Sequence, residues 1–445
     1  MFSDRHWLVV LLFKLIGWTI KGFLVVMKDG STFKKNVIIL MSGTIMAQAL
    51  PVALSPILSR LYGPEDFGLL ALYSALVSIL GTVATLRYDL AIIQPKGDGD
   101  ASALVWISVA SVIVMGVIIA FYSILYNYLN LGFLGSEKIR PWLYLLPFSV
   151  IIVGLFQTSN KWLLRNSSYN VIAKATVIQS ASSSGMQVTL GLSFLSGGLI
   201  CGQFFGQAIS FIVIAIKTFR MGKVDSIIRC KGRIVYNIKQ YKNMPLFSTG
   251  GALADILSVQ MPVLVISRFF LEGTVGSFSL TFRMLNIPAV IISTAISQVL
   301  YKKINDMANS NSRNITWFVI RLWFLNLLII LPFVVVIYFY AGDLFVLMFG
   351  ALWSEAGQMA KILVFAAAIR FVVSPLSSVL AVDKNIRIGV LWQFLYLFTL
   401  SITLYIYSSD SIITLLHAFV VHELVQYMVY FSFILKGAQR LERII

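Results

Sequence analysis

The fold is decided by Leu54-Ser-Pro-Ile-Leu-Ser-Arg-Leu-Tyr-Gly-Pro-Glu-Asp-Phe-Gly-Leu-Leu-Ala-Leu-Tyr73, where two long apolar runs meet at a short polar elbow. The elbow is Gly63-Pro64-Glu65-Asp66, with Arg60 just before it and Gly68 just after it. Glycine allows positive φ and proline fixes its own φ, so this pair predicts a tight turn between two helices.

A related stretch begins about two hundred residues later, at Val263-Leu-Val-Ile-Ser-Arg-Phe-Phe-Leu-Glu-Gly-Thr-Val-Gly-Ser-Phe-Ser-Leu280. Both stretches have an apolar run, a Ser-Arg pair, a short elbow, a glycine and a second apolar run. The aligned identities are Ser59 with Ser267, Arg60 with Arg268, Gly68 with Gly276 and Leu72 with Leu280. We therefore interpret the chain as two copies of one helical unit, each opening with this hairpin.

The composition identifies the environment of the chain. Of its 445 residues 58% are hydrophobic and 12% charged, and the mean hydropathy is +0.87. Soluble proteins carry about 25% charged residues, whereas a bilayer span needs about 20 consecutive apolar residues. Such runs recur without strict alternation, which excludes a β-barrel. The sequence predicts an all-α polytopic membrane protein.

The net charge of +17 comes from lysines and arginines clustered in the connecting loops. In a membrane protein this pattern indicates orientation by the positive-inside rule and attraction to the lipid bilayer, not to nucleic acid.

Twelve spans are predicted after an N-terminal extension. In the extension, residues 1–33, the lysines Lys14, Lys21 and Lys28 recur every seven residues on one face, which favours an interfacial helix. An extra span or a dispensable extension are the alternatives. The predicted spans cover residues 36–60, 67–93, 101–126, 141–164, 169–194, 196–219, 243–268, 274–300, 315–340, 357–380, 387–408 and 411–435.

The spans divide into an N-lobe (34–220), a basic linker (221–242), a C-lobe (243–435) and a tail (436–445). Because each half holds an even number of spans, the two halves are expected to be parallel repeats. With both termini cytoplasmic, the outer loops hold few cations, and these are Arg60, Lys138, Arg140 and Arg268. The outer loops are too short for an external catalytic domain.

Charges within spans are costly unless they face a partner or a wet cavity. The deepest predicted ones are Asp255, Arg283 and Arg370, while Arg60, Arg87 and Arg268 lie near span ends, where snorkelling is the alternative. A carboxylate at Asp255 either pairs with an arginine or binds a proton or cation. Arg87-Tyr-Asp89 closes the second span, and an internal salt bridge is its simplest explanation. The surplus of guanidinium groups favours an anion such as phosphate.

Enzyme and metal chemistry find no support in the sequence. His417 and His422 are five residues apart, a poor spacing for two metal ligands, and Cys201 and Cys230 have no plausible partners. No Walker loop, Gly-x-Ser-x-Gly or HExxH motif occurs. We therefore predict a transporter, with no catalytic residue, cofactor or metal.

Three segments resemble one family. They are Lys35-Asn-Val-Ile-Ile-Leu-Met-Ser-Gly-Thr-Ile-Met-Ala-Gln-Ala-Leu-Pro51 with its continuation Pro56-Ile-Leu-Ser-Arg-Leu-Tyr-Gly-Pro-Glu-Asp-Phe-Gly68, then Phe349-Gly-Ala-Leu-Trp-Ser-Glu-Ala-Gly357, and Arg370-Phe-Val-Val-Ser-Pro-Leu-Ser-Ser378. They look like the Wzx-type polysaccharide flippases of the multidrug/oligosaccharidyl-lipid/polysaccharide (MOP) exporter superfamily. The similarity covers about residues 35 to 435.

The resemblance implies two six-helix lobes around a central cavity in the bacterial inner membrane. The implied substrate is an undecaprenyl-diphosphate-linked oligosaccharide, moved to the periplasmic leaflet by alternating access for O-antigen or capsule synthesis. Proton or sodium counterflow would drive it, and a polysaccharide polymerase and chain-length regulator are the expected partners. For the anionic headgroup we predict Arg60, Arg268, Arg283 and Arg370, and for ion coupling or gating Asp255, Arg87 and Asp89.

Two alternatives stay open at this point. A drug/cation antiporter of the same superfamily would prefer an acidic cavity, whereas the interior predicted here is basic. A membrane glycan polymerase or ligase would by resemblance carry a large periplasmic loop, and the outer loops here are short.

Overall fold

The computed structural model describes residues 32–132, 134–193, 197–221, 224, 227–309, 314–382 and 386–444. The predicted interfacial helix of the N-terminal extension lies outside these residues. Within the described ranges all regular secondary structure is helical, which confirms the all-α prediction.

Six long helices form the first half, and two single-turn helices (Tyr88–Ala91 and Arg140–Leu143) lie between them. The long helices are α1 (Thr32–Leu61), α2 (Pro64–Ala84), α3 (Asp98–Tyr128), α4 (Leu146–Arg165), α5 (Tyr169–Leu192) and α6 (Gly198–Arg220). A basic helix, Ile227–Gln240, follows in the linker and packs on α3, where the Asn237 amide donates to Asp100 Oδ1 at 3.2 Å.

Six more long helices form the second half. They are α7 (Thr249–Phe269, after a π-helical turn at Met244–Ser248), α8 (Glu272–Asn309), α9 (Ile315–Phe349), α10 (Ser354–Val373, continued by a 3-10 turn and Ser378–Val382), α11 (Ile386–Ile406) and α12 (Ile412–Ile444). Helix α12 continues through the segment expected to be a tail. There the Glu442 carboxylate accepts the Thr316 N–H at 2.8 Å and the Thr316 hydroxyl at 2.9 Å, so it caps the start of α9.

The elbow between α1 and α2 has the predicted turn chemistry. Pro64 occupies the first position of α2, where a missing N–H has no cost. The Asp66 carboxylate accepts the Gly63 N–H at 3.1 Å, and Glu65 and Asp66 place negative charge at the helix N-terminus. The prediction of a helical hairpin is therefore confirmed.

Helix packing repeats from one half to the other. In the first half α1 packs on α5, α2 and α3 on α4, and α6 on both α4 and α5. In the second half α7 packs on α11, α8 and α9 on α10, and α12 on both α10 and α11. The same neighbours recur six helices later, as parallel repeats require.

Eight helices in the described part of the chain are long and apolar enough to cross a membrane. The chain is therefore a multi-pass membrane protein. The other four long helices, α4, α5, α8 and α11, are not among these eight, although α11 contains a shorter apolar stretch, Leu391–Ile406, and for all four spanning stays a prediction. The end of the bundle that carries Gly63-Pro64 is called the elbow end below, and the opposite end, beside the helix Ile227–Gln240, is called the linker end.

Candidate substrate path between the two halves

The two halves touch at the glycines that the hairpin alignment makes equivalent. A Cβ atom at Gly68 in α2 would overlap the Glu272 carbonyl oxygen and lie 3.1 Å from Gly276 N. A Cβ atom at Gly276 in α8 would overlap the Pro64 carbonyl oxygen and lie 2.9 Å from Gly68 N. Gly68 thus contacts the backbone of α8 one turn before Gly276, and Gly276 contacts the backbone of α2 one turn before Gly68. Because the two contacts are equivalent, an approximate twofold axis passes between the glycines. Both positions need glycine because the backbones meet without room for a side chain.

Aromatic side chains seal the elbow end around this contact. Trp353, at the turn before α10, is fully buried and donates its Nε1–H to the Ser59 carbonyl oxygen in α1 at 3.1 Å. Its ring meets Phe67 of α2 edge-on, with centroids 4.9 Å apart. Leu58 and Tyr62 join the same buried cluster, which otherwise consists mostly of second-half residues. The elbow end is therefore closed.

Polar contacts reinforce the closure at the loops. The Ser136 hydroxyl donates to Glu272 Oε1 at 3.0 Å, and Arg268 Nη1 donates to the Gly132 carbonyl oxygen at 2.8 Å. Both join the loop after α3 to the second hairpin. In the same loop, Lys138 donates to Glu65 at 2.5 Å, and this hydrogen bond raises the pKa of the Lys138 amine.

Arg283 lies below the closed elbow on the same face of α8 as Gly276. Seven residues separate them, about 10 Å along the helix, and seven residues are close to two full turns. The aligned residue in α2 is the small, fully buried Ala75. The Arg283 side chain is half-buried and has no hydrogen bond or ion pair with any described residue. Within the described part of the chain, Arg283 is thus a guanidinium without a partner on the face of α8 that contacts α2.

Nearer the linker end, the path holds charges from both halves. Arg87 lies between α2 and the single-turn helix Tyr88–Ala91, and its charge acts on the Asp255 carboxylate of α7. Asp255 is exposed and accepts from the Gln393 amide of α11 at 3.3 Å. Arg87 and Asp255, two of the predicted coupling residues, are thus within electrostatic range of each other, and no ion pair within 4.0 Å joins them among the described residues.

Asp89, the third predicted member, has a different partner. It is buried and accepts the Thr85 hydroxyl at 2.7 Å, with no ion pair to Arg87 among the described residues. The backbone just before Asp89 is unusual, since Leu86 and Arg87 both have positive φ, 48° and 61°. Arg87 Nε is buried without a partner. Two consecutive non-glycine residues in this region store strain, which is commoner at functional segments than elsewhere.

Arg370 sits inside the second half in a closed polar triad. It donates Nε to Glu423 Oε2 at 2.5 Å and Nη2 to the Tyr396 hydroxyl oxygen at 3.2 Å, and Tyr396 donates to Glu423. The Glu423 side chain is fully buried, and the Arg370 guanidinium lies over Phe282, 5.2 Å from the ring centroid. Sequence reasoning missed this arrangement, although Glu423 is a carboxylate deep in α12 and was the available signal.

Arg60, the remaining predicted arginine, is exposed on α1 and lines an open cavity of 450 Å³ with Pro56 and, from α5, Val188 and Leu192. The four predicted headgroup arginines are therefore not gathered at one point. Arg60 and Arg268 lie at the elbow end, Arg370 is paired, and Arg283 faces the other half. Among the described residues no group of three His, Cys, Asp or Glu side chains is placed to hold a metal ion.

The fold is one already known among transporters. It is similar to the lipid II flippase MurJ in an inward closed conformation, with a TM-score of 0.71 and 14% identity over 91% of this chain and 90% of that one. It is also similar to an inward-facing multidrug resistance MATE transporter of the MOP superfamily, with a TM-score of 0.58 and 14% identity over 94% of this chain and 97% of that one. The predicted superfamily fold is confirmed.

The sequence identifies the family. Residues 57–358 match the model of the polysaccharide biosynthesis protein family, and the chain belongs to that family. Two relatives are each 22% identical: a membrane protein of the cps region of Klebsiella pneumoniae, matched over 76% of this chain and 68% of that protein, and the succinoglycan biosynthesis transport protein ExoT of Rhizobium meliloti. The match to ExoT covers 75% of this chain, which spans 65% of the Rhizobium protein.

Proposed function

We propose that this protein is a Wzx-type flippase that moves an undecaprenyl-diphosphate-linked oligosaccharide from the cytoplasmic to the periplasmic leaflet of the bacterial inner membrane. The observation that carries the proposal is Arg283, a guanidinium that has no partner among the described residues and lies on the face of α8 that contacts the other half. An unpaired charge inside a membrane protein is costly, and it is retained where a ligand supplies the counter-charge. A diphosphate matches guanidinium geometry bidentately.

The lobes would move the headgroup by alternating access. In the present state the elbow end is closed by the glycine contact and Trp353, so the headgroup would enter from the linker end, which the charge of the loops assigns to the cytoplasm. The lipid tail can remain in the bilayer while sugar and diphosphate cross between the lobes. Opening the elbow end requires breaking the α2–α8 contact, and Arg60 and Arg268 are two of the cations at that end.

Asp255 and Arg87 are our proposed coupling pair. A proton or sodium ion on the Asp255 carboxylate would cancel its attraction for Arg87 and so loosen the linker end. Removing the cation would restore the attraction between the halves. Inward movement of the cation would thereby be linked to outward movement of the lipid-linked sugar.

Deletion of the gene in its native host tests the proposal. Surface polysaccharide should be lost while full-length repeat units accumulate on undecaprenyl diphosphate at the cytoplasmic face, and wild-type protein should restore both. Repeat units that instead reach the periplasmic face and remain unpolymerised would place the protein after translocation, and the flippase proposal would fail.

A further inference from the structure

A second cavity lies on the outer side of the second half, and we call it the flank pocket. It has a volume of 490 Å³ and is bounded by α9, α10 and α12. Its polar side chains are Gln358, Lys361 and His417, and its aromatic walls include Tyr338, Phe339 and Phe365. Phe339 is 66% exposed and Phe365 39% exposed, and large apolar side chains exposed on a membrane-spanning helix face lipid. The pocket therefore opens toward the bilayer.

Two polar side chains of the flank pocket, Lys361 and Gln358, can donate hydrogen bonds to a ligand. Lys361 and Gln358 have no side-chain hydrogen bond or ion pair with any described residue. His417 Nδ1 donates to the Ile413 carbonyl oxygen at 2.8 Å, so Nε2 of the neutral imidazole can only accept a hydrogen bond. No carboxylate is among the described residues that line the pocket. A lysine beside a neutral amide donor, in a pocket whose described lining holds no carboxylate, suits an anion.

The depth of the pocket matches the headgroup region. Helix α9 has 35 residues and is ~52 Å long, about 20 Å more than the ~30 Å hydrocarbon core, so each end extends well beyond the core. Tyr338 lies roughly 16 Å from the elbow end of α9, and Lys361 lies roughly 10 Å from the elbow end of α10. The lysine is thus placed near the boundary between headgroups and acyl chains, with the phenylalanine rings beside it.

We infer that the flank pocket binds the phosphate of an anionic membrane lipid in the leaflet at the elbow end. Lys361 supplies the charge, Gln358 supplies a hydrogen bond, and Phe339 and Phe365 contact the first methylene groups of the lipid. The inference does not depend on the proposed transport function, because it concerns a lipid held on the outer surface of one half.

Lipid retention measured by mass spectrometry of the intact protein tests this inference. The purified full chain in neutral detergent is given phosphatidylglycerol or zwitterionic phosphatidylcholine. Wild-type protein should retain one phosphatidylglycerol in preference to phosphatidylcholine. Lys361→Gln should weaken that retention about tenfold, the usual scale for one charge-assisted hydrogen bond, and Lys361→Arg should keep most of it. Lys174→Gln, which removes an exposed lysine from α5 instead, is the matched control and should bind like wild type.

Equal retention by Lys361→Gln and Lys174→Gln would overturn the inference, as would equal retention of the two lipids by wild-type protein. Lys361→Arg is the control for misfolding, because it changes the same position but keeps the charge. A folded Lys361→Arg protein that loses the lipid would also contradict the role of the charge. A competition with undecaprenyl phosphate distinguishes the sources of the phosphate. Displacement that depends on Lys361 would assign the pocket to a polyprenyl phosphate, and its absence would assign it to a phospholipid.

Discussion

Replacing Gly276 by alanine should open the elbow end. The added methyl group would overlap the Pro64 carbonyl oxygen, and both atoms belong to helix backbones that cannot rotate out of the way. Relief of the overlap requires α8 to move away from α2 by roughly 1 Å or more, since carbon and oxygen atoms pack at about 3.5 Å. That movement separates the halves where Trp353 and Phe67 now meet.

The expected magnitude follows from the cost of overpacking. Inserting a methyl group into a packed contact costs about 1–3 kcal/mol, and the cost applies only while the elbow is closed. The ratio of closed to open molecules should therefore fall by ~5- to 150-fold. The gain in helix propensity from glycine to alanine is the same in both states and cancels.

Distances between spin labels at the elbow end provide the assay. Cysteines at Glu137 and Leu271, whose side chains are 86% and 77% exposed, report on opposite halves in a Cys201→Ser, Cys230→Ser background. Gly273→Ala is the matched control, because its Cβ would make ordinary contact with Pro64 at 3.8 Å on the same helix. Gly276→Ala should lengthen the distance and Gly273→Ala should not. Identical distributions for wild type, Gly273→Ala and Gly276→Ala would refute the reasoning.

Three further predictions concern single side chains. Arg370→Gln leaves the fully buried Glu423 without its cation and should lower the free energy of unfolding in detergent by about 3–5 kcal/mol. Adding Glu423→Gln should recover part of the loss. An unchanged stability of the Arg370→Gln protein would argue against the ion pair. Trp353→Phe keeps the ring beside Phe67 but loses the hydrogen bond to Ser59, and should shift the spin-label distances toward the open state by about 1 kcal/mol, whereas unchanged distances would show that the bond does not hold the elbow. Asp255→Asn should remove the dependence of transport on a proton or sodium gradient, and a variant that still responds fully to the gradient would exclude Asp255 as the coupling residue.

The two hairpins show how much of the fold could be predicted from the sequence. Gly63-Pro64 marked the turn, and aligning the two hairpins made Gly68 and Gly276 equivalent. The contact between these two glycines could not be predicted from the sequence, because a repeat does not reveal where its symmetry axis lies. Only the structure shows that the axis passes between the two glycines, so that Gly68 and Gly276 form one contact that closes the elbow end.

The charged residues show where sequence reasoning stopped. Arg370 looked like a cation available for substrate because Glu423 is 53 residues away and reaches it only when α10 packs on α12. Arg87 and Asp89 looked like a pair because they are neighbours in sequence, but the Asp89 carboxylate accepts the Thr85 hydroxyl instead. Arg283 was one of four equal candidates, and its lack of a partner among the described residues was visible only in the structure.

Transport of a fluorescent lipid-linked oligosaccharide in proteoliposomes tests the central claim most directly, with leaflet position read by an impermeant quencher. Arg283→Gln should slow translocation at least tenfold while the variant incorporates normally, and Arg283→Lys should be intermediate because it keeps the charge but loses bidentate geometry. Arg321→Gln, which removes an exposed arginine stacked on Trp317, should transport at the wild-type rate. Wild-type translocation by a properly incorporated Arg283→Gln protein would contradict the assignment of the path between the halves.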